Sequence, residues 1–244
     1  MKEDMAIQNL REIKEIFDKN DIQVWLDCGT LLGAIREGRI IAWDKDTDLG
    51  TWYDNLRQII SLFPEFKKRR FKVSVNTYID NIGIERFGCQ TDVELWHKRG
   101  DYAWQVWVVR DKKIGKLLRW FVYSSSLMTY TKPKGTVIRK SECLSFLLPL
   151  PLKILFADLI WPILDRCNCT IPVVVPKHHF EKLSTVRYYG LKFPVPSDVE
   201  KYLEFRYGSD WKTPIKKWIC YKDDGSINPS WRVLLRNMRK SKKR

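Results

Sequence analysis

The chain has 244 residues, 44% hydrophobic and 13% aromatic, with a formal net charge of +15. That composition excludes a disordered polypeptide, and the length suffices for a sizeable core in one large domain or two small ones. A field of this sign draws polyanions such as nucleic acid, anionic headgroups or phosphorylated substrates, and it is concentrated in "KKRRFK" (67–72), "KKIGKLLR" (112–119) and "RNMRKSKKR" (236–244), each of which also reads as a solvated face.

The first segment, "MKEDMAIQNLREI", lacks the apolar core of a secretory signal. Met5, Leu10, Ile13, Ile16 and Phe17 recur at helical spacing and predict an amphipathic helix over 3–19. "IQVWLDC" (22–28) reads as a buried strand broken at Gly29-Thr30, followed by a short helix that Gly38 stops. "IIAW" running into "DKDTDLGTW" predicts a second strand, residues 54–63 a helix, and 71–79, 82–87, 91–96 and 102–109 further strands.

Residues 116–170 mix basic, Ser-rich and Pro-interrupted apolar pieces and read as an insertion or lid. Within them, 144–164 is the longest apolar run; Lys153, Asp158 and its prolines argue against a membrane-spanning helix and leave a buried stretch or an interfacial element. "VPSDVEKYLEFRYG" (195–208) predicts a helix with a capping box from Ser197 and Glu200 and a stop at Gly208. The order of elements gives an α/β (α+β) class, and without repeats or low-complexity linkers a single unit over 1–244, with a basic C-terminal tail, is the simplest organisation. The six cysteines form no regular framework and read as reduced thiols, although "CNC" (167–169) offers a weak metal pair. His97, His178 and His179 receive no catalytic role and read as surface or core residues.

Chemistry concentrates in "GTLLGAIREGRIIAWDKDTDLG" (29–50). In an extended segment, residues two apart share a face, so Asp44, Asp46 and Asp48 would line one side. Carboxylates that close repel unless protonated or neutralised, and a hard divalent cation is the usual remedy. A solvated acidic turn would give the same short pattern. Upstream, Gly29 and Thr30 at a helix start would suit phosphate binding, with Arg36 for further phosphate contacts. "TDVELW" (91–96) adds Asp92 and Glu94 on one face, either of which would complete a site for metal-assisted phosphoryl or nucleotidyl transfer.

This stretch resembles the signature of the LicD/fukutin family, G-T-L-L-G-x-x-R followed by W-D-x-D-x-D. "VELW" resembles its later carboxylate strand and "YLEFRYGSDWKTP" its C-terminal helix and Tyr-Gly loop. The resemblance implies a nucleotidyltransferase-like mixed sheet flanked by helices. It further implies a Mg²⁺- or Mn²⁺-dependent transferase moving a phospho-alcohol, such as phosphocholine or ribitol phosphate, from a CDP-activated donor to a glycan or lipid-linked glycan of the cell envelope, lipopolysaccharide being one such acceptor. The metal-binding aspartates fall on Asp44, Asp46 and Asp48. Glu94 takes the later carboxylate position, where the family usually carries Asp, which leaves Asp92 as a rival. Gly29 and Thr30 match the Gly-Ser/Thr element. The lack of the anchor found in animal Golgi members implies a cytoplasmic enzyme, with an anionic membrane surface as a candidate partner.

Two alternatives stay open: transfer of a nucleoside monophosphate from the same site, and a non-catalytic basic protein binding RNA or a membrane surface. The charge and the 11 tryptophans suit the latter. An aspartate ladder beside a phosphate cradle speaks against it and makes nucleic acid the less favoured partner.

Overall fold

The computed structural model describes residues 2–76, 80–108 and 170–227. The expected insertion or lid at about 116–170, the apolar run at 144–164, the basic runs at 112–119 and 236–244, and the Cys167–Cys169 pair lie outside the described residues.

Helix α1 (Glu3–Lys19) buries Leu10, Ile13, Ile16 and Phe17 as the spacing predicts, whereas Met5 remains exposed. The chain then turns through an Ile22 N–H bond to the Phe17 carbonyl, so strand β1 is only Trp25–Leu26. Helix α2 (Cys28–Arg36) starts before Gly29, and a tight turn closed by the Asp44 N–H on the Ile41 carbonyl leads into β2 (Asp46–Trp52). Helices α3 (Leu56–Ser61) and α4 (Phe63–Lys68) precede β3 (Lys72–Asn76), β4 (Asn81–Arg86), β5 (Cys89–Arg99) and β6 (Tyr102–Val108). After the undescribed segment come β7 (Thr170–Pro176), the one-turn α5 (His178–Glu181), the hairpin β8 (Leu183–Tyr188) and β9 (Leu191–Pro196), α6 (Val199–Tyr207) and the short α7 (Cys220–Asp223).

The main sheet runs β1-β2-β5-β4-β3, and β6 pairs with β5 and β7. Its pairs are antiparallel except β2–β5, which is parallel, so this is a mixed sheet flanked by helices, as expected. The parallel register sets Asp48 opposite Asp92 and Gly50 opposite Glu94.

The core fills with side chains of α1, β1, β2 and β5. Phe180 stacks on Trp25 at 4.8 Å and touches Trp96 at 5.2 Å. Gly50 is required at its position, because a Cβ there would meet the Trp25 indole and stand 3.0 Å from Asp27 Oδ2.

One local expectation is corrected. Helix α6 has Asp198, not Ser197, at its N-cap; that carboxylate reaches Lys201 Nζ at 2.6 Å, and no side chain caps the helix. Gly208, at φ +84°, does stop it. The 67–72 run lies on the surface as a solvated face: Lys67, Lys68 and Arg70 are exposed, while Arg69 meets Glu15 and Glu65 and Lys72 meets Glu85.

Candidate active site

Asp46 and Asp48 leave the same face of β2, and on the neighbouring parallel strand Asp92 and Glu94 leave the same face of β5. Adjacent strands lie about 4.8 Å apart, which crowds these carboxylates without any fold-specific device. Asp44 sits in the turn before β2 and not on the strand, yet it reaches the same place. A Cβ on Gly29 would stand 2.5 Å from Asp44 Oδ2 and 3.6 Å from Asp48 Oδ2. The backbone at the start of α2 therefore lies directly against both carboxylates, and a bare glycine is what admits it. All five acids, with Gly29 and Arg36, line one cavity of about 610 Å³.

Burial and mutual repulsion set the electrostatics. Burial, then Asp46, pushes the Asp44 carboxyl up to about 6. Burial likewise raises Asp46. Asp48 is raised well above the ordinary range, first by burial and then by the charges of Asp46, Asp92, Glu94 and Asp44. Asp92 is pushed up to about 6, chiefly by burial, against the opposing bond from Gln90. Glu94 is pushed up to about 8 by burial, with Asp92 and Asp27 adding to it. A cluster in which every carboxylate is disfavoured as an anion lacks positive charge at its centre.

The two rivals on β5 differ in their bonds. Asp92 Oδ1 accepts from Gln90 Nε2 at 2.6 Å. Glu94 Oε1 accepts from Asn81 Nδ2 at 3.2 Å, while its buried Oε2 has no hydrogen-bond partner among the described residues. A buried carboxylate oxygen without a donor is costly unless something else engages it.

Thr30 and Arg36 are placed differently from each other. Thr30 is buried, does not line the cavity, and its Oγ1 accepts the Asp48 backbone N–H at 2.7 Å; it fixes β2 against α2. Arg36 reaches the cavity from the last turn of α2, where its guanidinium holds Glu37 at 2.5 Å and the Trp211 carbonyl at 3.4 Å. Seven helical steps separate it from Gly29, about 10 Å along the axis.

The sequence reading missed the supports of α2. Asp27, fully buried, caps the helix by accepting the Cys28 N–H at 2.8 Å. Its carboxylate also accepts from Trp96 Nε1 at 2.9 Å and from the Tyr202 hydroxyl at 2.7 Å. Arg206, 1% exposed, donates to the Tyr202 hydroxyl at 2.8 Å and pairs with Asp224 at 2.6 Å. An acid immediately before a Cys-Gly-Thr helix start is a cap signal that would have found Asp27.

The histidines are structural in placement. His97 stacks between Tyr53 and Trp104 and meets Asp80 at 3.1 Å, and buried His179, pushed down to about 4 by burial, packs on Tyr202.

Hard oxygen donors on two strands suit Mg²⁺ or Mn²⁺. Among the described residues no three His, Cys, Asp or Glu side chains close around one point. That still fits Mg²⁺, which commonly takes one or two carboxylates and completes its shell with water and substrate phosphates.

The fold and the cleft thus define a mixed α/β domain carrying paired carboxylates on adjacent parallel strands beside a helix N-terminus. Residues 21–130 match the LicD/FKTN/FKRP nucleotidyltransferase domain. The chain is 34% identical over 106 residues to an uncharacterized protein of Rickettsia prowazekii (strain Madrid E), covering 43% of this chain and 38% of that protein. It is 21% identical over 228 residues to the ribitol-5-phosphate transferase FKTN of Homo sapiens, covering 92% of this chain and 37% of that protein. The matches therefore span well under half the length of these relatives. Among solved structures, the antibiotic-resistance factor ANT(2'')-Ia aligns over 68% of this chain and 94% of its own, at 12% identity and a TM-score of 0.35.

Proposed function

We propose that the protein is a metal-dependent transferase that moves a phospho-alcohol group from a CDP-activated donor to a hydroxyl of a glycan or lipid-linked glycan. The observation that carries this reading is the convergence of Asp44, Asp46 and Asp48 with Asp92 and Glu94 in one cavity at the first turn of α2. The family match over 21–130 and the distant likeness to fukutin support it.

Asp46 and Asp48 would hold Mg²⁺ or Mn²⁺, with Asp44 beside them. The bound cation supplies charge neutralisation for the donor pyrophosphate and polarises its phosphorus–oxygen bonds. The Gly29 and Thr30 N–H groups in the first turn of α2 donate to donor phosphate oxygens, and Arg36 lines the far end of the cleft. Glu94 is the general base: its unpartnered Oε2 and raised pKa suit acceptance of the acceptor hydroxyl's proton. The deprotonating oxygen attacks the β-phosphorus, the bond to CMP breaks, and CMP departs with that bond's electrons. Asp92, held by Gln90, positions the wall opposite Asp48.

Incubation of the chain with Mg²⁺ and a panel of CDP-alcohols, read by CMP release and product mass, tests this. Pyrophosphate release with a nucleotide-labelled acceptor would replace the reading with nucleotidyl transfer. Tight, salt-sensitive oligonucleotide binding with no turnover would replace it with a non-catalytic basic protein.

A further inference from the structure

Four of the six most exposed large apolar side chains among the described residues fall at one place: Trp43, Ile215, Ile219 and Tyr221. Ile215 is 46% exposed, Tyr221 45% and Trp43 38%. Three of them belong to residues 212–223, in which every residue except Trp218 is exposed. Trp43 joins them across space, because Lys216 Nζ lies 5.5 Å from its ring centre. The same segment bears Lys212, Lys216, Lys217 and Lys222, and among the described residues Lys216 and Lys217 make no ion pair. Its one acid, Asp223, is exposed and accepts the Ile219 N–H at 2.7 Å, closing the loop. Trp43, Ile215, Lys216 and Trp218 also line the catalytic cavity, so the patch forms its rim.

We infer that residues 212–223 with Trp43 form a docking surface for an anionic lipid bilayer, which holds the mouth of the cavity at the headgroup layer. Lysines interleaved with aliphatic, Trp and Tyr side chains match the two layers of such an interface: charge for anionic headgroups, apolar and aromatic groups for the acyl boundary. Lysines are depleted at protein interfaces, which argues against a protein partner, and exposed isoleucines offer nothing to nucleic acid bases. The inference rests on the proposed transferase activity only for its purpose, which is to bring the cleft to acceptors embedded in the membrane.

The test is co-sedimentation of the full chain with vesicles of phosphatidylcholine alone and of phosphatidylcholine mixed with phosphatidylglycerol. Lys217→Glu/Lys222→Glu and Ile219→Ser/Tyr221→Ser are compared with Lys67→Glu/Lys68→Glu, an exposed pair on α4 of equal charge change. Binding is expected only to the anionic vesicles and to weaken with salt. It should fall by about tenfold or more in the 217/222 pair and fall in the 219/221 pair, but less than about twofold in the 67/68 pair. Equal losses in the 217/222 and 67/68 pairs, an unaffected 219/221 pair, or no vesicle binding at low salt overturns the inference, as does a dimer that covers the patch. CMP release from soluble substrates is measured in parallel. It should be unchanged in these variants, and its absence from the unmodified protein would refute the transferase reading while leaving the vesicle result standing.

Discussion

The indole of Trp96 donates to Asp27 Oδ2 at 2.9 Å and so ties β5 to the first turn of α2. Trp96 lies two residues beyond Glu94 on the same strand, and Asp27 lies two before Gly29. One bond therefore registers the carboxylate strand against the Gly29 turn. Tyr202 and Arg206 extend the same network into α6.

That network predicts a large stability cost from a buried residue in the cavity wall. Arg206→Met should lower the unfolding free energy by about 3–5 kcal/mol, because Asp224 and Asp27 would keep buried carboxylates with one cation fewer. Chemical denaturation checks it. The double variant with Asp224→Asn should recover part of the loss, since the unpaired charge is then removed.

Gly29→Ala should separate stability from function. Alanine favours the helix by up to about 1 kcal/mol, and the atom in its way is the end of a mobile carboxylate. The melting temperature should hold or rise, while the displaced Asp44 raises the KM for the donor and lowers turnover. A steady-state comparison beside a thermal melt reads both.

The carboxylate cluster was legible in the sequence because alternation in a strand puts Asp46 and Asp48 on one face and Asp92 and Glu94 on another. Their pairing was not, since the register of β2 on β5 depends on contacts across more than forty residues. Asp44 was expected on the strand and lies in a turn, yet the close approach at Gly29 brings it to the same point. Asp27, Tyr202 and Arg206 escaped notice for a related reason. A buried ion pair leaves no periodic trace, and "YLEFRYG" reads as an ordinary amphipathic helix until Asp224, 18 residues on, supplies the partner. Ser197 shows the opposite error: the N-cap position falls on Asp198, whose carboxylate turns to Lys201 and caps no N–H.

Glu94 predicts a pH dependence in the metal-free protein. Its folded pKa of about 8 stands above the ordinary 4.5, so between those values the folded state holds the extra proton. Stability should therefore fall as pH rises through that window, with Asp44 and Asp92 contributing the lower part, up to about 6. Melts of chelator-treated protein from pH 5 to pH 9, in ~1-unit steps, should show the decline. Glu94→Gln should flatten its upper half, and Mg²⁺ should restore stability most at the alkaline end.

Asp48→Asn should reduce CMP release by about 10²–10³-fold or more while the protein stays folded. The substitution keeps shape and removes one charge from a group crowded by four other carboxylates, so its melting temperature should not fall. Activity and circular dichroism on the same sample check this.

The central claim is that Asp46 and Asp48 of β2, faced by the β5 carboxylates, hold a cation at a site completed by a CDP-alcohol. Electron paramagnetic resonance titration of Mn²⁺ with and without CDP-alcohol tests it without reliance on turnover. The account predicts Mn²⁺ binding that the CDP-alcohol tightens and that Asp48→Asn abolishes. Equal Mn²⁺ binding by the unmodified protein and Asp48→Asn, indifferent to the nucleotide, would contradict it.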